Sequence, residues 1–163
     1  MDMDSAPGPA DFAGIYEQHY EAVFRAALRV TGNPADAEDV LQTVFLRVLS
    51  RSDGDEAARA PAAYFRRAAV NAAVDILRRR AVQAEDAYDD QAPAAAREPA
   101  VLLKERLRRA IATLPNDDAT MFLLRHVEGL SIDEVAGVFR IEKNNVSVRL
   151  HRIRLRLRTE MER

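Results

Sequence analysis

Hydrophobic residues recur along the chain every three or four positions, the spacing that places them on one face of an α-helix. In the N-terminal half this period predicts three amphipathic helices, over residues 12–32, 34–51 and 61–80. Asn33 and Pro34 suit the start of the second helix, because an Asn side chain caps free N–H groups and Pro at the first helical position loses no hydrogen bond. We expect a polar loop over residues 52–60.

The segment 81–99 has no sustained hydrophobic period. It is rich in Ala, Asp, Glu and Pro, a composition that favours a flexible acidic linker. Beyond it the helical period returns and predicts one helix that ends at Pro115 and another that Asp117 or Asp118 caps. The linker therefore separates two helical parts of the chain.

The end of the chain has the pattern of two more helices joined by a turn. Ser131 and Glu134 form a capping box, in which each side chain bonds a free N–H group at the start of a helix. That helix is expected to end near Phe139, and a longer one to begin near Asn144. A short helix, a turn and a second helix make the helix-turn-helix plan.

The predicted fold class is all-α, with two small helical domains joined by a flexible acidic linker, the second a helix-turn-helix domain. The predicted limits are a disordered N-terminus over 1–9, a first domain over 10–80, a linker over 81–99 and a second domain over 100–163. Composition agrees, since Ala and Leu dominate and Gly and Pro are too few for a turn-rich β fold. A chain of 163 residues has no room for a large catalytic scaffold.

The net charge of −2 hides two basic stretches. Residues 1–60 and 85–98 are acid-rich, whereas 66–80 and 140–158 have Arg as nearly their only charged residue. Basic patches on an otherwise neutral protein are typical of nucleic-acid binding. Solvated basic helix faces without a ligand are the alternative.

Several classes of function are excluded by what the sequence lacks. There is no Cys, so neither a disulfide nor a thiolate metal site can form. His19, His126 and His151 lie in no metal-ligand spacing and beside no nucleophile, and no phosphate-binding glycine loop is present, so we expect no catalytic residue, metal or cofactor and no enzyme. An acidic N-terminus and the lack of a long apolar run predict a soluble, cytoplasmic protein without membrane insertion.

The last predicted helix has one apolar side and two Arg-rich flanks. On a helical wheel the apolar side consists of Val146, Leu150, Ile153 and Leu157. One flank has Asn145, Arg149, Arg152 and Arg156, and the other has Ser147, His151, Arg154 and Arg158. Because guanidinium groups bond phosphates and guanine edges and Asn suits adenine, this helix is predicted to bind duplex DNA. An Arg-rich surface helix without a ligand is the alternative.

The second predicted helix exposes a Leu within a polar face. If Val40, Val44 and Val48 face the core, the residues that point away are Asp39, Gln42, Thr43 and Leu46. Such a face is typical of a docking surface for another protein. A solvated face with one stray Leu is the alternative.

The third predicted helix offers groups suited to single-stranded nucleic acid. Its expected buried stripe is Phe65, Ala68, Ala69, Ala72 and Ile76. The opposite side presents Tyr64, Arg67, Asn71, Asp75 and Arg78. An aromatic ring can stack on a base, an amide can bond its edge, and guanidinium groups can bind the backbone. The alternative is structural ion pairs, such as Asp75 with Arg78 or Arg79, and a Tyr at the edge of the core.

The chain resembles, in order and spacing, the two domains of the extracytoplasmic-function (ECF) sigma factors of the sigma-70 family. The matching segments are DAEDVLQTVFLRVL, AYFRRAAVNAAVDILRRR, LPNDDATMFLLRHVEGLSIDEVAGVF and VSVRLHRIRLRLR. The resemblance covers about residues 10–158. It implies a non-catalytic subunit that binds core RNA polymerase and directs promoter-specific transcription initiation. It also implies an anti-sigma factor as partner, one that could hold the otherwise cytoplasmic protein at the membrane.

The resemblance assigns residues to three contacts. The family binds the clamp helices of the polymerase largest subunit through one segment, and the residues that match it are Asp36, Asp39 and Gln42. The resemblance therefore makes the clamp helices the expected partner of Thr43 and Leu46, which lie on the same face. Those that match the helix capturing the non-template strand at the −10 element are Tyr64, Arg67, Asn71, Asp75, Arg78 and Arg79. Those that match the −35 recognition helix are Asn145, Ser147, Val148, Arg149 and Arg152, with Val148 placed to touch a thymine methyl.

The chain departs from the family pattern at two places. It has Ala63 and Tyr64 where the family often has Trp, which implies a smaller stacking element. Its helix-turn-helix lacks the usual Gly; if the turn requires a positive φ at Arg140, the strain is about 1 kcal/mol. Glu142 also places an acidic group near the expected phosphates.

Three rival interpretations remain open at this point. The first is a DNA-binding regulator that shares only the helix-turn-helix. The second is a sigma-like protein that binds an inhibitory partner and never contacts DNA, and the third is an enzyme acting on nucleotides.

Overall fold

The computed structural model describes residues 9–50, 54–86 and 99–163, and all regular structure within these ranges is helical. The helices are α1 (Pro9–Thr31), α2 (Pro34–Leu49), α3 (Gly54–Arg59), α4 (Pro61–Asp86), α5 (Pro99–Ala112), α6 (Asn116–His126), α7 (Ile132–Phe139) and α8 (Lys143–Glu162). The all-α prediction is confirmed. Residues 1–8 of the predicted N-terminal segment lie outside the described residues.

Helices α1 and α2 pack against each other in the first compact unit. α1 ends at Thr31, Gly32 follows it with a φ of 65°, and Asn33 then caps α2 in an extended conformation. The Asn33 side-chain oxygen accepts hydrogen bonds from the N–H groups of Ala35 at 2.9 Å and Asp36 at 3.2 Å. The predicted cap is therefore confirmed. The core between the two helices consists of Val23, Ala27, Val30, Val40, Val44 and Val48.

Phe65 of α4 anchors that helix to the pair. Its ring is 1% exposed and lies between His19 of α1 and Phe45 of α2, with centroid distances of 4.6 Å and 5.1 Å. Aromatic rings bury a large apolar area, and stacked pairs add stability beyond that area. The Phe65 side chain therefore packs the N-terminal part of α4 against α1 and α2.

The predicted polar loop is wrong over part of its length. Residues 54–59 form α3, which contacts α2 and buries Ala57, while residues 52 and 53 lie outside the described residues. The run Asp-Glu-Ala-Ala-Arg has polar side chains but contains good helix formers. A helix of six residues is too short to show a hydrophobic period, so its polar composition alone predicted a loop.

α4 is longer than predicted, since it continues through residue 86. The predicted linker is therefore wrong over residues 81–86, where Ala, Gln and Glu continue the helix. Residues 87–98 lie outside the described residues. The next helix, α5, begins at Pro99. The buried side of α4 is also wider than one stripe. It includes, beyond the predicted positions, Val70, Ala73, Val74 and Leu77.

The chain divides into two compact units between Ala73 and Val74, inside α4. The second part of α4 belongs to the second unit, where Arg78 donates a hydrogen bond to the carbonyl of Leu114 at 2.5 Å. Two helical units agree with the predicted organisation. The limits of the predicted domains, 10–80 and 100–163, remain a prediction.

The second unit is built around α8, which contacts α5, α6 and α7. The predicted apolar side of α8 is confirmed as buried: Val146, Leu150, Ile153 and Leu157. They pack in a core with Leu114, Met121, Leu124 and Val135. No helix of the described ranges has both the length and the apolar character needed to cross a membrane.

Candidate nucleic-acid and protein interfaces

The capping box at the start of α7 is present as predicted. The Ser131 hydroxyl accepts a hydrogen bond from the N–H of Glu134 at 3.1 Å, and the Glu134 carboxylate accepts one from the N–H of Ser131 at 3.2 Å. Both bonds satisfy donors that the helix itself leaves free. The entry into the helix-turn-helix is therefore fixed by local chemistry.

The turn between α7 and α8 depends on Arg140, which has a φ of 54° and a ψ of 46°. Arg140 is therefore left-handed, a conformation whose strain the sequence raised only as a condition, and the N–H groups of Arg140 and Ile141 both donate to the carbonyl of Ala136. Across the turn, Lys143 of α8 pairs with Asp133 of α7 at 2.6 Å. The two helices are thereby joined at their N-terminal ends.

Burial of the apolar side of α8 decides which side chains face solvent. Among the predicted −35 residues, four are exposed: Asn145, Ser147, Val148 and Arg152. Val148 is 51% exposed, which leaves its methyl groups open to a ligand. Glu142 precedes α8 and makes no side-chain capping bond. One contiguous side of the helix thus offers amide, hydroxyl, methyl and guanidinium groups.

The fifth predicted residue, Arg149, is held by another helix. Its Nε donates to Oδ1 of Asp118 in the first turn of α6, at 2.6 Å, and the two side chains are 37% and 22% exposed. The predicted capping role of Asp117 or Asp118 is wrong, since Pro115 is the N-cap residue and no side chain caps α6. Sequence reasoning missed the Asp118–Arg149 pair, because no helical period relates residues 31 positions apart.

Two other Arg side chains of α8 bind protein groups. Arg156 donates to the carbonyl of Thr113 at 3.1 Å, and Nε of Arg154 lies 3.4 Å from Nε2 of His126. Partial burial lowers the pKa of His126, and the nearby charges of Arg154 and Arg125 lower it further. His126 therefore favours the neutral form that can accept the bond from Arg154.

The predicted −10 residues lie along α4 but fall in both units. Tyr64, Arg67 and Asn71 are half-buried and belong to the first unit. The remaining three belong to the second unit. Asp75 and Arg79 are exposed, and Arg78 donates its hydrogen bond to the carbonyl of Leu114. Within the described part of the chain, Asp75 forms no ion pair with Arg78 or Arg79. The Tyr64 ring meets Phe65 edge-on at 5.1 Å, so it lies at the margin of the core.

The predicted docking face of α2 is mostly exposed. Leu46 is 62% exposed, Asp39 and Gln42 are exposed, and Thr43 is half-buried. Asp36 is 9% exposed, so little of it is available to a partner. Sequence reasoning missed Leu49, which is also exposed and lies three positions after Leu46 on neighbouring turns. The apolar part of this face therefore consists of two Leu side chains.

Within the described ranges, no group of three or more His, Asp or Glu side chains is placed to hold a metal ion.

Comparison with known proteins gives the family of both units. Residues 15–83 match sigma-70 region 2, and residues 104–157 match sigma-70 region 4. An RNA polymerase sigma-E factor from Streptomyces avermitilis is 30% identical over 157 residues, which cover 93% of this chain and 86% of that protein. The ECF RNA polymerase sigma factor SigW from Bacillus subtilis is 26% identical and aligns over 92% of this chain and 88% of that protein.

A solved structure has the same fold. The sigma factor RpoE from Bartonella quintana, crystallised with the anti-sigma factor NepR, aligns with a TM-score of 0.52 at 18% identity. The alignment covers 93% of this chain and 97% of that chain. One rival interpretation was a DNA-binding regulator that has only the helix-turn-helix in common with sigma factors. It is wrong, because the N-terminal part of the chain matches sigma-70 region 2. The chain belongs to the extracytoplasmic-function sigma factors of the sigma-70 family, which are transcription initiation factors and not enzymes.

Proposed function

We propose that the protein binds core RNA polymerase through α2, holds the melted −10 strand on α4 and binds duplex −35 DNA with α8. The main support is the geometry of α8. Its buried apolar side turns Asn145, Ser147, Val148 and Arg152 outward together, on the second helix of a helix-turn-helix. In such motifs that helix lies in the major groove and contacts base edges.

The proposed −10 contact rests on the chemistry of α4. Tyr64 supplies a ring for stacking and Asn71 an amide for hydrogen bonds to the edge of an extruded base. Extrusion costs a few kcal/mol of stacking, which a protein ring can offset. The exposed Arg79 supplies charge for the strand backbone. Nη2 of Arg78 donates to the carbonyl of Leu114, so a contact of Arg78 with the strand would use its other N–H donors.

The proposed polymerase contact rests on the exposed pair Leu46 and Leu49 beside Asp39 and Gln42. Apolar groups surrounded by polar ones are the usual composition of a protein interface. The clamp helices of the largest polymerase subunit are the proposed partner. Since polymerase is cytoplasmic, we propose the same location for this protein, with an anti-sigma factor as a second partner that competes for these faces.

The test is run-off transcription with purified core polymerase. The holoenzyme is first incubated with random duplex DNA, and the enriched sequences serve as templates. Transcripts are expected from the enriched templates only when the protein is present. Arg152→Ala should reduce them, while Arg109→Ala, which removes an exposed Arg on α5, should not. Transcription no greater than that of core polymerase alone would refute the proposal.

A further inference from the structure

Asp118 and Arg149 form a contact between α6 and α8 that the proposed DNA interface does not explain. The Arg149 Nε donates to Asp118 Oδ1 at 2.6 Å. Among the residues that the structure describes, this is the single hydrogen bond of the Arg149 side chain. The pair is less exposed than the surface pair of Lys143 and Asp133, whose side chains are 68% and 64% exposed.

The backbones on both sides of the pair are fixed by the core. Ala119 and Thr120, which follow Asp118, are 0% exposed, and Leu150, which follows Arg149, is 0% exposed as well. The two side chains therefore meet because the helices are packed, and a charge-assisted hydrogen bond at this length is a strong one. Partial shielding from solvent makes it more persistent than an exposed ion pair.

The atom that makes the bond matters for what Arg149 can do. A guanidinium group has five N–H donors in one plane, and Nε supplies one of them. The bond to Asp118 leaves the four N–H donors on Nη1 and Nη2 available. It also fixes the plane of the group, so that less side-chain freedom is lost when a ligand binds. Two parallel donors in a fixed plane match the O6 and N7 acceptors of guanine.

We propose that Asp118 is a positioning residue that sets base specificity at the −35 element by orienting Arg149. This inference rests on the proposed function of α8. Arg152 is exposed and bonds no described residue, so it suits a phosphate contact that tolerates several geometries. Arg149, held in place, suits the contact that discriminates between bases.

The test measures base preference of the complete protein in holoenzyme with core polymerase. Random duplex DNA is selected with the wild type and with Asp118→Ala, Arg149→Ala and the double variant. Asp117→Ala is the matched control, because Asp117 is an exposed neighbour in the same first turn of α6 and its loss removes the same charge. Thermal unfolding of each variant shows whether it is folded.

Arg149→Ala should lower the preference at one position of the selected sequence by about tenfold or more, the size of one bidentate base contact. Asp118→Ala should lower the preference at that same position by about three- to tenfold and leave other positions unchanged. It should have no further effect in the Arg149→Ala background, because the two residues act through one contact. Asp118→Asn, which retains an acceptor oxygen, should preserve most of the preference, and Asp117→Ala should change nothing.

Wild-type base preference in folded Asp118→Ala would overturn the inference and make the pair purely structural. Stronger preference or tighter binding in that variant would also overturn it, because Asp118 would then withhold Arg149 from DNA. Unchanged preference in Arg149→Ala would overturn it while leaving promoter selection by the protein intact. If wild-type holoenzyme selects no sequence, the proposed function itself fails.

Discussion

The imidazole of His19 stacks on the ring of Phe65, with centroids 4.6 Å apart and planes at 22°. Burial lowers the pKa of His19 below its ordinary value of 6.5. The folded protein therefore binds a proton at this position more weakly than the unfolded chain does, and protonation favours unfolding. The position thus links the stability of the first unit to pH.

We expect the melting temperature to be highest above pH 6.5 and to fall as the pH is lowered through the depressed pKa of His19. The pKa of His126 is also lowered, so it contributes with the same sign. His19→Gln should flatten the acid side of the profile, and His19→Gln with His126→Gln should flatten it further. Thermal unfolding between pH 5 and 8 measures this, and equal slopes for wild type and variants would contradict it.

Leu46→Ala should weaken binding to core polymerase while leaving the free energy of unfolding within about 0.5 kcal/mol of the wild type, because the side chain is exposed. Fluorescence titration with core polymerase and denaturant unfolding give the two quantities. Leu155→Ala is the matched control, since Leu155 is an exposed Leu of α8 outside this face. Equal polymerase affinity for the two variants would place the docking surface elsewhere.

Arg140→Gly should stabilise the protein by about 1 kcal/mol, because Gly adopts a positive φ without the strain of a Cβ atom. Arg140→Ala removes the same side chain but keeps the Cβ, so it should bring no gain. Urea unfolding of both variants separates the backbone effect from the loss of the guanidinium group. A Gly variant no more stable than the Ala variant would argue against a left-handed residue at this turn.

Tyr64→Leu should slow promoter opening, because loss of a stacked base contact removes about 1–3 kcal/mol. Leu retains apolar contact with Phe65, which keeps the packing of α4 largely intact. A fluorescent base analogue in the −10 element reports opening directly. Tyr16→Leu serves for comparison, as Tyr16 is an exposed Tyr on α1 of the same unit. Similar opening rates for the two variants would remove Tyr64 from the proposed −10 contact.

Much of the fold follows from local sequence. Asn33 with Pro34 and Ser131 with Glu134 start their helices through bonds within four residues, so their roles were predictable before any packing was known. The short turn without Gly made Arg140 the residue at which a positive φ would cost energy, but the structure was needed to show that Arg140 adopts it. The motifs of the N-terminal helices and those of the helix-turn-helix together predicted the sigma-factor family. The matches to sigma-70 regions 2 and 4 confirm it.

Other features depend on contacts between distant residues. α3 forms where polarity predicted a loop, and it buries Ala57 in contact with α2. The contact of Arg78 with Leu114 and that of Asp118 with Arg149 join residues more than 30 positions apart. By itself, the sequence determined the starts of α2 and α7, the apolar side of α8 and the family that the chain resembles, because these depend on neighbours along the chain. Only the tertiary structure decided which of the predicted Arg side chains are held by protein groups and which face solvent, because helix packing sets those distances.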